Sequence, residues 1–186
     1  MQLLEKRIDI IKMLPPGAVL AEIGCWRAYF GVEILNTCPV RCLYEVDPWS
    51  GQTGHYGADP KTVEQHEADL AEARHHLRGH LPGGRVKIVR GFSLDVAANN
   101  TEIPPLDAVY IDADHSYDAV LADLKAWERR LKPNGFLSGH DYTKNAQATE
   151  WGFGVIEAVK DFCDQNGWQL TYLTREDFAS FRLDRK

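Results

Sequence analysis

No stretch of this sequence approaches the roughly 20 consecutive apolar residues a membrane-spanning helix requires, so no membrane partner is expected. The opening residues 1–14 mix charges among their apolar positions and lack the uninterrupted apolar segment of an export signal. The four cysteines, Cys25, Cys38, Cys42 and Cys163, include no C-x-x-C. Buried free thiols are expected, in preference to a metal shared by Cys38 and Cys42. Free thiols without an export signal place the protein in a reducing cytoplasm. A basic excess is lacking too: 21 Lys and Arg stand against 27 Asp and Glu, a net charge of −6. Without a basic face to release counterions, no nucleic-acid partner is expected. Internal repeats and low-complexity segments are absent, and 186 residues fit one domain with a full core, spanning 1–186.

What the chain does have is a series of apolar runs that stop at polar clusters. Leu4, Ile8, Ile11 and Leu14 predict an amphipathic helix over residues 1–16, stopped by Pro15-Pro16-Gly17. Ala18 to Gly24 reads as a first buried strand and Phe30 to Asn36 as the following helix. A second strand, Val40 to Val46, is closed by Asp47-Pro48-Trp49. Residues 50–61 shift to Gly, Tyr, His and Asp and predict a lid loop, with Trp49, His55 and Tyr56 as its exposed aromatics. Then come a charged helix over Thr62 to Arg78, a strand over Val86 to Arg90 and a short helix capped by Ser93. A fourth strand, Leu106 to Ile111, precedes a helix from Ser116 to Leu131 and a strand at Phe136 to Ser138. A helix over Val155 to Gln165 and strands at 169–173 and 178–183 complete the chain. This alternation predicts an α/β fold: a Rossmann-like, doubly wound, mostly parallel seven-stranded sheet with helices on both faces and an antiparallel edge hairpin.

In such sheets ligands bind beyond the carboxyl ends of the strands. The fourth strand ends in Asp112, Asp114, His115 and Tyr117, an excess of titratable groups over what a helix cap needs. The first strand ends in Glu22-Ile23-Gly24-Cys25-Trp26, which carries only the first glycine of a dinucleotide turn. Trp26 stands where a second glycine would let the backbone approach a pyrophosphate, so a nucleoside-like ligand without phosphates is expected. Asp47, at the end of the second strand, is placed to accept from ribose hydroxyls.

The stretches EIGCW, LYEVDPW, RGFSLDVA, VYIDADHSYDAVLADL, LKPNGFLSGHDY and FGVIEAVKDF together resemble class I S-adenosylmethionine-dependent methyltransferases over about Val19 to Arg182. They are most similar to a small bacterial group related to catechol-type and macrolide-sugar O-methyltransferases. The resemblance implies that Glu22 and Gly24 pass the methionine part of S-adenosylmethionine, with Trp26 beside them. It also implies Asp47 on the ribose and Ser93 beside the adenine. Asp112 matches the carboxylate that binds a divalent metal near the methyl group, and His140 and Asp141 fall where the remaining ligands stand. The His140-Asp141-Tyr142 triplet departs from the usual acidic or amide pair, although two carboxylates with an imidazole still suit Mg2+ or a softer ion. Ala28 replaces the relatives' glycine and implies a turn without positive φ.

His115 falls where related enzymes place a proton-accepting lysine, and an imidazole with pKa near ~6.5 is matched to that work. The expected activity is methyl transfer to a hydroxyl of a small-molecule acceptor, with His115, Asp112 and Asp141 as catalytic residues. The competing expectation is an inactive S-adenosylmethionine-binding module that serves as a partner or sensor. The amino-terminal helix and the edge strands could mediate a homodimer.

Overall fold

The computed structural model describes residues 1–50, 53–54, 57–58 and 61–186. The chain opens with β1 (Gln2–Leu4), α1 (Arg7–Ile11), β2 (Val19–Ile23), α2 (Tyr29–Thr37) and β3 (Cys42–Asp47). Two short strands, β4 (Thr53–Gly54) and β5 (Gly57–Ala58), pair with each other, and α3 (Val63–Leu77) and β6 (Val86–Arg90) follow. Next come α4 (Ser93–Asn99), β7 (Leu106–Ile111), α5 (Tyr117–Glu128) and β8 (Leu131–Gly139). The chain ends with α6 (Ala146–Glu150), α7 (Val155–Asn166), β9 (Trp168–Thr174) and β10 (Phe181–Arg185).

The main sheet runs β1-β9-β10-β8-β7-β2-β3-β6, and β10 alone lies antiparallel to its neighbours. It is the expected Rossmann-like, doubly wound sheet with one strand added. Gln2–Leu4 pairs in parallel with β9 at one edge, which makes eight strands and moves the β9–β10 hairpin one place inward. The predicted helix over 1–16 is correspondingly short. Lys6 is extended, its backbone N–H bonds Asp9 Oδ2 at 3.1 Å, and the helix starts only at Arg7. The apolar spacing continued across that break, so periodicity alone did not reveal it.

Alternation along the strands divides the core into two layers. Val19, Ala21 and Ile23 of β2 pack with Val120, Leu124 and Trp127 of α5 and with Val159 and Phe162 of α7. Leu20 and Leu43 face the other way, against Ile34 of α2, Leu70 and Leu77 of α3, and α1. Each such aliphatic side chain contributes about 1.5–3 kcal/mol when fully buried. Glu22 and Glu45 share the second face with Leu20 and Leu43, by the same period of two.

Strand order reverses between β2 and β7, which diverge toward β3 and β8 respectively. That switch point leaves a crevice at their carboxyl ends. His55 and Tyr56 of the expected lid lie outside the described residues. Trp49 corrects the expectation of an exposed lid aromatic: it is buried at 2% exposure, with Nε1 donating to Trp26 O at 2.8 Å. All four cysteines are buried free thiols. Among the described residues no helix is long and apolar enough to cross a membrane.

Candidate functional site

The hydrogen-bond ladder of the sheet continues just past the strand ends. Gly24 N bonds Val46 O at 2.8 Å, Asp112 N bonds Ile23 O at 2.8 Å, and His140 N bonds Ile111 O at 3.0 Å. Gly24, Asp112 and His140 therefore stand side by side on one rim. Gly24 has φ +86°, and a Cβ there would lie 2.3 Å from Asp112 O, so both conformation and close approach demand glycine.

The turn after Gly24 is unusual for non-glycine residues: Trp26 has φ 48° and Ala28 φ 60°. The expectation of an Ala28 turn without positive φ is thus corrected. The chain must turn sharply from β2 into α2, and Ala28 takes the left-handed conformation that glycine would take freely. Ala28→Gly should raise stability by about 0.5–1 kcal/mol, because the strain relieved exceeds the entropy added to the unfolded chain. Urea denaturation checks this; a loss of stability would show that the buried Ala28 methyl matters more than the strain.

Asp47 organises that turn. Its Oδ2 accepts from Trp26 N at 2.9 Å and its Oδ1 from Trp49 N at 2.7 Å. Each oxygen keeps a second lone pair for a further donor. Trp26 itself is 45% exposed, and its Nε1 donates to Asp69 Oδ2 at 2.9 Å. Arg27 and Lys61 converge on the same carboxylate at 2.6 and 2.7 Å. Burial opposes the charge of Asp69, but these partners hold its carboxyl down at about 2. Glu22 is buried at 2% exposure beneath this rim, facing Glu45.

Ser93 is placed differently from the sequence expectation. Phe92 is the N-cap of α4, and no side chain caps the helix. The Ser93 hydroxyl donates to Asp123 Oδ1 at 2.5 Å and accepts from Trp127 Nε1 at 2.8 Å. Burial pushes Asp123 up to about 6 although the Ser93 bond works against the shift. Exposed Phe92 and Leu94 flank Ser93 at the rim. They offer apolar surface there, while the Ser93 side chain is occupied inside.

The ionisable cluster gathers Asp112, His115, His140 and Asp141. His115 Nε2 lies 2.9 Å from Asp141 Oδ2 and 3.3 Å from Asp112 Oδ1. His140 Nδ1 lies 3.0 Å from Asp141 Oδ2 and 3.8 Å from Asp112 Oδ1. Asp141 adopts φ 59°, a strained conformation that aims its carboxylate back at both imidazoles. Burial acts against the charges of His115, His140 and Asp141, yet the mutual bonds prevail. They raise His140, push His115 up to about 9, and hold Asp141 well below the usual carboxylate range.

The raised His115 favours its charged imidazolium form. Among the described residues, Asp112, His115 and Asp141 could hold a cation, their ligand atoms all lying within 4.8 Å of one another. His140, also expected as a ligand, stands beside that set, its Nδ1 3.0 Å from Asp141 Oδ2. Asp114 acts on the backbone, its Oδ1 accepting from Ser116 N at 2.8 Å and shaping the turn that carries His115.

Two neighbours were not apparent in the sequence. Arg7, whose guanidinium lies 4.2 Å from the Phe30 ring centroid, approaches Asp112 Oδ2 at 3.8 Å. Nothing near Arg7 in sequence marks it; only α1 packing against α2 brings it to the rim. Phe153 packs on His115 with ring centroids 4.7 Å apart, and Trp151 and Phe178 contact Phe153 at 5.8 and 6.3 Å. Gly154 N donates to His115 O at 2.8 Å and ties this segment to the cluster. The pattern Trp-Gly-Phe-Gly at 151–154 was its only sequence signal.

A family model described as a methyltransferase domain matches residues 21–142, from the first strand of the crevice to the Asp141 rim. No curated protein matches the chain. A Streptococcus mutans structure described as a methyltransferase in complex with S-adenosylhomocysteine is 13% identical, with TM-score 0.66 over 98% of this chain and 99% of that one. A Clostridium thermocellum structure described as an rRNA methylase is 14% identical, with TM-score 0.64 over 96% and 94% of the two chains. A Staphylococcus aureus structure described as a caffeoyl-CoA O-methyltransferase is 14% identical, with TM-score 0.61 over 90% and 76%.

Proposed function

This chain belongs to the methyltransferase-domain family of S-adenosylmethionine-dependent enzymes, and from that premise we propose that it methylates a hydroxyl oxygen of a small-molecule acceptor with a divalent cation's help. The observation that carries the reading is the convergence of Asp112, His115 and Asp141 beside the Gly24–Asp112 crossing. In the reaction the S–CH3 bond breaks as an O–CH3 bond forms, S-adenosylhomocysteine is the leaving group, and the acceptor's hydroxyl proton passes to solvent.

S-adenosylmethionine supplies an electrophilic methyl, and a cation such as Mg2+ supplies the charge that makes a bound hydroxyl more acidic. The donor set fits such an ion, since two carboxylates and one imidazole offer oxygen and nitrogen ligands at close quarters. Binding it requires His115 neutral, so the ion and the imidazole proton compete, and His115 serves as a ligand in place of a free base. His140 keeps Asp141 aimed at the cluster. Asp47 holds the ribose, and Gly24 leaves room for the methionine part beside Asp112.

Phe153, Trp151 and Phe178 present rings beside His115, which suits a compact organic acceptor and keeps water from the transfer. Net charge −6 disfavours a polyanionic acceptor such as RNA.

The test is transfer of labelled methyl from S-adenosylmethionine to a panel of hydroxylated small molecules, with Mg2+ or with excess EDTA. Transfer is expected with the ion and should vanish with the chelator. Full activity in EDTA would remove the cation from the proposal. Tight cofactor binding without methylation of any acceptor would favour a binding module.

A further inference from the structure

A row of polar side chains crosses the sheet beneath the crevice, on the face covered by α2. Register pairs Glu45 with Glu22 and Glu22 with Tyr110 on successive strands. Glu22 is 2% exposed and Glu45 is fully buried. Glu22 Oε2 and both carboxylate oxygens of Glu45 have no hydrogen-bond partner among the described residues. The backbone above them is Gly31 of α2, where an added Cβ would fall 1.6 Å from Glu45 Oε1 and 3.2 Å from Glu22 Oε2. Both carboxyl groups thus crowd under one glycine that leaves them the space.

The surroundings do not neutralise two negative charges. Arg7 bears on Glu22 but approaches Asp112 at 3.8 Å, and Asp112 and Asp47 add charge of the wrong sign. The Cys25 thiol faces Glu45 and is itself pushed up by burial, so it is only a weak donor. The Tyr110 and Ser180 hydroxyls bond each other at 2.8 Å, either one donating. Two adjacent carboxylates in such a place cannot both ionise, whereas one proton between them supplies the missing donor.

We propose that Glu22 and Glu45 share one proton in the free protein and release it to solvent when cationic S-adenosylmethionine binds. This rests on the cofactor reading above. The cofactor carries a sulfonium and an ammonium against one carboxylate, so binding brings one net positive charge to the rim above Glu22. That charge favours the doubly ionised pair and expels the proton. Glu45 thereby acts as a positioning residue: neutral, it bonds Glu22; ionised, it makes Glu22 part of a counter-charge.

The sign of the pH dependence follows. Burial raises both acids, Glu45 to about 8, so the free protein holds the proton at neutral pH. If binding releases it, affinity for S-adenosylmethionine rises with pH through neutrality and levels off once the free pair has lost the proton by itself.

Titration calorimetry at pH 7 in buffers of different ionisation enthalpy counts the protons. Wild-type protein should release about one proton per S-adenosylmethionine bound, and far less with S-adenosylhomocysteine, which lacks the sulfonium charge. Glu45→Gln, which stays neutral and can donate to Glu22, should still bind S-adenosylmethionine while its proton release disappears. Buffer-independent heats in the wild type, equal release with both ligands, or unchanged release in Glu45→Gln would overturn the proposal. No binding heat in any buffer would overturn the cofactor reading together with it.

Discussion

Asp141→Ala should lower methyl-transfer turnover by about 10²–10⁴-fold, the range expected when a group acting on proton transfer is removed. Asp141 is 6% exposed, and its Oδ2 is the shared acceptor of His115 at 2.9 Å and His140 at 3.0 Å. Removing it takes away a ligand of the proposed ion and the partner that fixes both imidazoles. It also takes away one of the two carboxylates that hold His115 up at about 9. Asp141→Asn keeps the shape and one oxygen acceptor and should lose less. Because Asp141 stands on the far side of β7 from Asp47, calorimetry should find cofactor affinity close to wild type in both variants. The split is the informative part: turnover collapses while binding survives. Unchanged turnover would take Asp141 out of the chemistry.

The second large effect is expected at Asp47, in the opposite pattern. Asp47→Ala should weaken S-adenosylmethionine binding by about 10- to 100-fold, since a hydrogen bond to a charged group is worth about 1.5–3 kcal/mol. Two losses coincide there. The ribose hydroxyls lose their proposed acceptor, and Trp26 N and Trp49 N lose the carboxylate that holds their turn. Trp49 is buried and its indole bonds Trp26 O, so the rim loosens as one piece. Asp47→Asn retains one oxygen for one of the two backbone donors and should fall between. Calorimetry reads the affinity directly. At saturating cofactor, turnover should move much less than affinity, and an equal fall in both would place Asp47 in the transfer step itself.

Much of this was legible in the residues. Parallel strands buried on both faces are nearly continuous apolar runs, so Ala18 to Ile23 and Leu106 to Ile111 announced themselves. Their ends are marked where apolar residues give way to Gly24 and Asp112. Asp47 and Asp141 were visible for the same reason, at the ends of β3 and β8. The short strand Gln2–Leu4 was not visible, since three residues carry no period and their pairing partner lies at Tyr172 to Thr174. The left-handed Ala28 and Trp26 escaped as well, because their conformation is imposed by closing β2 onto α2 and not by their own preference. Trp49 beside a glycine-rich loop resembled an exposed aromatic, and only packing shows it inside.

The sequence by itself determined the sheet, the family of chemistry and the strand ends on which its acids stand, because periodicity and strand termination are local properties. Tertiary structure alone decided which of those groups come within reach of one another. His115 and His140 both reach Asp141 because the turn at Asp114 and the strained Asp141 backbone set their directions. Arg7 reached Asp112 through α1 packing, and Glu45 met Glu22 through strand register. Electrostatic interaction depends on distances of a few ångströms between groups far apart in the chain, and those distances exist only once the chain has folded.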